Sequence, residues 1–325
     1  MKLSRLLFAA TVLAVACGAP LAQAQQYPTK PVKIITPFPS GSGPDSVLRL
    51  IGEKLSKTWG QSIVVENRPG ASGFIAIEAA KKAAPDGYTL VQVEDQHVAL
   101  LPHLYKNIPF SLEKDFDPVA MLFRAYFFVV VPSDSPWKNV ADLVAAAKAK
   151  PGDVTYGSWA VGSPGHLGAA MLEAATGTQM VHVPFKEMSQ LFASVANKDV
   201  MWSFGSAASS GPMYRAGKVK YLAVTAPQRI AGYTDIPTVA EAGGPANFEV
   251  KAWVALLAPR GTPPAIITRI NQDLAKVLVE PDIKERLTTF GFQPFVTAPG
   301  EITKMAEADS KRYGEIVKRA KISID

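Results

Sequence analysis

Val32-Lys33-Ile34-Ile35-Thr36-Pro37-Phe38-Pro39-Ser40-Gly41-Ser42-Gly43-Pro44-Asp45 is an apolar run that stops in a Pro/Gly/Ser turn. It gives way to Val47-Leu48-Arg49-Leu50-Ile51. Val32–Thr36 reads as a buried strand, and Ser46–Trp59 as a helix with Val47, Leu50, Ile51 and Leu55 on one face. The turn therefore joins a strand end to a helix start. The first N–H groups of a helix lack intrahelical partners and carry partial positive charge, so such a turn attracts anions. Gly41 and Gly43 allow close approach to the main chain, and Ser40 and Ser42 add hydroxyls. Phe38, Pro39 and Asp45 complete this first candidate contact set.

The same design recurs at Gly157-Ser158-Trp159-Ala160-Val161-Gly162-Ser163-Pro164-Gly165-His166, which leads into Leu167–Leu172. Ser163 before Pro164 is an N-cap followed by proline at the first helical position, which fixes a helix start. Each turn alone is also compatible with a plain strand-to-helix loop. Two together, beyond the carboxyl ends of strands in an α/β protein, suggest a carboxylate held between two lobes.

Outward from these turns, strand-like and helix-like segments alternate. Ser62–Glu66 and Tyr88–Val93 flank a helix near Ile75–Ala83. Phe127–Val131, Asp153–Tyr156, Met180–Pro184, Val200–Phe204 and Tyr221–Thr225 read as strands in the middle, and Trp253–Leu257 as a later one. Past Pro263-Pro264 the chain is helical, over Ala265–Val279, Pro281–Phe290 and Pro299–Ala320. This order predicts an α/β fold with mostly parallel sheets. No linker separates two units, so the chain is expected to cross between lobes and return. Residues 25–125 with 226–325 would form one lobe and 126–225 the other, with the cleft at their junction.

Lys2 and Arg5, the apolar Leu6–Ala16 and the Ala22-Gln23-Ala24 site read as an export signal over residues 1–24, which predicts a soluble periplasmic protein. Cys17 is the only cysteine of the 325 residues, so cleavage leaves no disulfide or thiolate. Ala14-Val15-Ala16-Cys17 also loosely resembles a lipidation site. The formal charge is +6, without a basic run or aromatic–basic motif, which gives nucleic-acid binding no support. There is no nucleophile elbow, zinc motif or P-loop, and the four histidines lack metal-ligand spacing. No catalytic residue, metal or cofactor is expected. A hydrolase would need Ser163 paired with His166.

Trp159 sits inside a Gly/Ser turn, where a bulky ring suits the wall of an organic-acid pocket. Phe185 and Phe204 follow strand ends and read as core or wall. His166 reads either as a ligand contact or as a brace of its turn. Glu94 and Asp95 end a strand and read either as solvated loop acids or as cleft residues.

Across nearly all of residues 25–325 the chain resembles the Bug family of periplasmic solute-binding receptors, the TctC-like partners of tripartite tricarboxylate transporters. The resemblance rests on Tyr27–Val32, the first turn, Val64–Ala71, Ala84–Leu90, Lys114–Phe116, Ala147–Gly152, Gly162–Pro164, His182–Lys186, Leu222–Thr225 and Asp235–Glu241. It implies a type II periplasmic-binding-protein fold, a monomer, no catalysis, and a membrane permease as partner. It also implies that the two turns grip one ligand carboxylate through amides, hydroxyls and water. A periplasmic sensor feeding a signalling receptor would share the same fold. The chain departs from the family pattern at Ser40, Ser42 and Pro44, at Val93-Glu94-Asp95-Gln96, at Trp159, at Lys186-Glu187-Met188, and at Gly205, where relatives carry an acid. Loss of that acid argues against a paired amino group on the ligand. Trp159 argues for a flat or apolar ligand body, hence an aromatic mono- or dicarboxylate.

Overall fold

The computed structural model describes residues 27–320. The expected signal peptide and Cys17 lie outside them. The eleven strands form two sheets. The six-stranded sheet contains β1 (Val32–Thr36), β2 (Ile63–Asn67), β3 (Thr89–Glu94), β4 (Phe116–Tyr126), β10 (Lys251–Pro259) and β11 (Phe292–Pro294), in the order β11-β4-β10-β3-β1-β2. The five-stranded sheet contains β5 (Phe128–Pro132), β6 (Thr155–Ser158), β7 (Val181–Pro184), β8 (Trp202–Gly205) and β9 (Val219–Val224), in the order β7-β6-β8-β5-β9. Leaving short turns aside, the helices are α1 (Gly43–Trp59), α2 (Phe74–Lys81), α3 (Val140–Ala149), α4 (Pro164–Thr176), α5 (Met188–Ala196), α6 (Ala207–Arg215), α7 (Pro264–Val277), α8 (Pro281–Thr289) and α9 (Pro299–Ala320).

The sheets are mixed, which corrects the expectation of mostly parallel ones. β1 pairs parallel with β2 and β3, but β10 runs antiparallel to β3 and β4, and β5 antiparallel to β8 and β9. The antiparallel strands are those next to the crossings. β4 ends at Tyr126 in the first sheet, and β5 begins two residues later in the second. A run that is apolar but for Arg124, Val119–Val131, thus serves two cores, and its first half hides the long strand β4.

Thr225 fastens this crossing to the return. Its hydroxyl accepts from Phe127 N–H at 2.9 Å and donates to the Val250 carbonyl at 2.7 Å. Its own N–H donates to Phe127 O at 2.8 Å. Residues 237–244 stay attached on the second-sheet side: Val239 N–H donates to Val224 O, and Ala242 O accepts from Val140 and Ala141 at the start of α3. The first sheet resumes at Lys251. Two lobes are therefore joined by hydrogen-bonded crossings at Phe127 and Val250. α1, α4 and α6 each start just after a strand, following β1, β6 and β8.

Candidate functional site

A cleft of about 610 Å³ lies between the lobes. The first lobe contributes residues 37–44, then Pro69, Gly70, Ser72, Gly73, Glu94, Gln96 and His97. The second contributes residues 159–162, 186–189, Ser206, Ala208 and Ser209. Of the expected contact residues, Phe38, Pro39, Ser40, Gly41, Ser42, Gly43 and Trp159 line it.

The first turn owes its shape to Asp45. This buried carboxylate accepts from Gly41 N–H at 2.8 Å, Arg49 Nε at 3.1 Å and Asn67 Nδ2 at 2.7 Å. The same Asn67 amide donates to Phe38 O, so both arms of the turn are pinned. Burial opposes ionisation of Asp45, but the bonds from Arg49, Asn67 and Gly41 outweigh it and hold the carboxyl below its usual range. α1 begins one residue earlier than its proline, after Ser42 in extended conformation, and the Ser42 side chain makes no capping bond. Its hydroxyl is buried without a hydrogen-bond partner among the described residues. Unpartnered buried hydroxyls are costly, and this one borders the cleft.

The second turn is held by neutral groups. Ser163 Oγ accepts from His166 N–H and caps α4. His166 Nδ1 accepts from Gly162 N–H at 3.0 Å. His166 stacks on His182 with ring centroids 3.9 Å apart. Ser158 Oγ donates to Ala160 O and lies 2.7 Å from His182 Nε2, which in this pattern carries the proton. Desolvation lowers both imidazoles to a pKa of about 4, with the neighbouring ring adding to the effect on His166. His166 turns its ring toward an outer groove, so Ser158, Ser163 and His166 brace the turn and do not line the cleft. Ser163 bonds the His166 main chain and not its imidazole, so no nucleophile–base pair forms.

Four other candidates have packing roles. Gly157 lies against Leu191 and Phe185, and Gly205 against Phe192, leaving no space for a Cβ at either. An acid at position 205 is thereby excluded by the Phe192 ring. Phe185 stands behind Gly157 and outside the cleft lining. Asp95 is fully buried behind the cleft, accepting from Tyr313 OH at 2.5 Å. Burial pushes its pKa up to about 7, partly offset by Tyr313. Only Glu94 of that pair borders the cleft.

The sequence reading missed a third Gly/Ser turn, Gly205-Ser206-Ala207-Ala208-Ser209. Ser206 caps α6 by accepting from Ser209 N–H, and both serines line the cleft. The signal was a Ser-x-x-Ser directly after a strand, obscured because α6 has weak helical composition and an internal Pro212. Also missed was the Ala71-Ser72-Gly73 wall, where φ is 45°, 51° and 86°, a left-handed run that non-glycine residues seldom adopt. The floor is aromatic. Phe123 stacks on Phe292 at 4.7 Å, and Phe127 packs 5.5 Å from Trp159, whose ring covers Gly165.

This cleft therefore brings together the starts of α1 and α6, the turn that leads into α4 and an unpartnered hydroxyl, over an aromatic floor. The model of the tripartite tricarboxylate transporter family receptor matches residues 47–322. The chain belongs to this receptor family. BugT of Bordetella pertussis is 29% identical, with 98% of each chain covered. Among solved structures, R. palustris Rpa4515 with adipate is 33% identical, with a TM-score of 0.85 over 92% of this chain and 100% of that one. MatC from Rhodopseudomonas palustris with bound malate is 29% identical, with a TM-score of 0.78 over 90% and 100%. The family and these neighbours are solute-binding receptors and not enzymes. Among the described residues no helix is long and apolar enough to cross a membrane, and no His/Cys/Asp/Glu group could hold a metal ion.

Proposed function

We propose that the chain is an exported periplasmic receptor whose lobes close on a small organic carboxylate and deliver it, as a monomer, to a tripartite tricarboxylate transporter permease. In this reading lobe one is residues 25–125 with the returning C-terminal segment, and lobe two is the middle of the chain. The observation that carries the proposal is the buried, unpartnered Ser42 hydroxyl at the start of α1, in the wall of a cleft that the turn before α4 and the start of α6 also line. A carboxylate there gains the Ser42 hydroxyl, free main-chain N–H groups and the helix dipoles together. Contacts drawn from both lobes exist only in the closed state, so the ligand shifts the open–closed equilibrium toward closure.

The ligand body is read by the floor. Phe38, Phe123, Phe127, Trp159 and Phe292 favour a flat aromatic mono- or dicarboxylate. Adipate and malate, found with two structural neighbours, are the aliphatic comparators. Thermal unfolding with benzoate, the benzenedicarboxylates, adipate, malate and glutamate tests this. A ligand at 100 times its dissociation constant stabilises by about 2.7 kcal/mol. Stabilisation by benzoate or a benzenedicarboxylate above that by the aliphatic acids is expected. A response to glutamate alone would refute the aromatic reading.

A further inference from the structure

We propose that Glu94 reads the far end of the ligand: its carboxyl group, carrying a proton, donates a hydrogen bond to a second carboxylate, so that a dicarboxylate enters the cleft together with one proton. This rests on the carboxylate-receptor reading above and names the ligand subclass.

The strand geometry aims Glu94. Side chains along β3 alternate, with Val91 and Val93 in the core on one face. Gln92, on the other face, bonds Thr36 and the Pro44 carbonyl beside the first turn. Glu94 is next on that face and borders the cleft. Its carboxyl makes no hydrogen bond or ion pair among the described residues; its main chain is engaged instead, with His97 Nδ1 2.9 Å from the Glu94 N–H and 3.2 Å from the Glu94 carbonyl. The charged and titratable surroundings are few. Asp95 adjoins it in sequence, backed on α9 by Tyr313, by Asp309 and by Arg312, whose guanidinium pairs with Asp309. His97 is held neutral by burial, with a pKa of about 4. Across the cleft stand the exposed Lys186 and Glu187. No cation bonds Glu94, while burial and then the Asp95 carboxylate push its pKa well above the usual range.

An ionised Glu94 would repel a second carboxylate. A protonated one supplies the single donor that a carboxylate–carboxyl pair requires, and the two groups then share one proton. The proton comes from solvent; no covalent bond changes. Above the pKa of Glu94, binding a dicarboxylate must therefore take up a proton, whereas a monocarboxylate leaves Glu94 facing water.

Calorimetric titration of the full chain from pH 6.5 to 9.5 decides the matter, with adipate against hexanoate and benzene-1,4-dicarboxylate against benzoate. Once the pH passes the pKa of Glu94, dicarboxylate affinity is expected to fall, approaching tenfold per unit, with monocarboxylate affinity flat throughout. Varying the buffer's ionisation enthalpy on the unaltered protein should report proton uptake with the diacids alone. Glu94→Gln keeps a donor and loses the titration, so it should retain diacid binding and flatten the profile. Equal pH profiles for mono- and diacids would overturn the proposal, as would selective loss of diacid binding in Glu94→Gln at pH 6.5. Failure of all four acids to bind at every pH would overturn the carboxylate reading itself, and the proposal with it.

Discussion

The first and second turns offer the cleft similar glycine- and serine-rich backbone, yet opposite chemistries hold them in place. In the first, one buried carboxylate gathers Gly41 N–H, Asn67 and Arg49. In the second, a stacked pair of neutral imidazoles and two serine hydroxyls do the same work without charge. An ionic brace is strong while its partners remain and costly when one is removed. An uncharged imidazole brace is cheap to bury but fails when a proton arrives. The two lobes thus border the cleft with turns that should break under different insults.

The largest effect is expected from Asp45→Ala, which strands the Gly41 amide, the Asn67 amide and Arg49. Urea unfolding should show a loss of about 3 kcal/mol. A loss below about 1 kcal/mol would mean that the first turn stands without its carboxylate. Acid should single out the second turn. The folded pKa of His166, about 4, lies below its ordinary 6.5, so the unfolded chain takes up the proton first. The stability due to neutral His166 is complete above pH 6.5 and is lost as pH falls toward 4, by at most about 1.4 kcal/mol per unit. Asp45, with its pKa lowered, keeps its contribution until the pH drops below the ordinary carboxylate range. Relative to an unstructured amide at the same pH, the protection of the Gly162 N–H against exchange should therefore fall from pH 7 to 5 while that of Gly41 holds. His166→Asn, which offers an acceptor that does not titrate, should shrink the slope; His97 and His182 maintain the remainder. The smallest change in stability belongs to Ser42→Ala, within about 0.5 kcal/mol. Its affinity for a carboxylate should fall about tenfold, the worth of a hydrogen bond to a charged group. Unchanged affinity would show that the ligand does not reach the first turn.

How legible each part was follows from the range of its signal. The first two turns are local patterns: proline, glycine and serine between an apolar run and an amphipathic one, and both start helices as expected. β4 was invisible because Phe116–Tyr126 merges into β5 with no punctuation, and only tertiary structure shows that the run changes sheets. Antiparallel β10 was hidden for a related reason, since a strand's direction is set by its distant partners. Within the candidate site, residue types alone did not show which side chains border the cleft. His166, Ser158 and Ser163 are close to the ligand turn and face away from it. Gly205 looked like a lost charge and is the space that Phe192 fills. Glu94 and Asp95 were indistinguishable as a dipeptide; the strand ends between them and sends one into the cleft and the other behind it.

Gly43 starts α1 on the first lobe, and a Cβ built there would lie 2.7 Å from Ala208 Cβ at the start of α6 on the second. The two lobes thus rest against each other across a gap too narrow for one more methyl group, beside the cleft. A larger residue at position 43 would act as a doorstop, holding the receptor ajar.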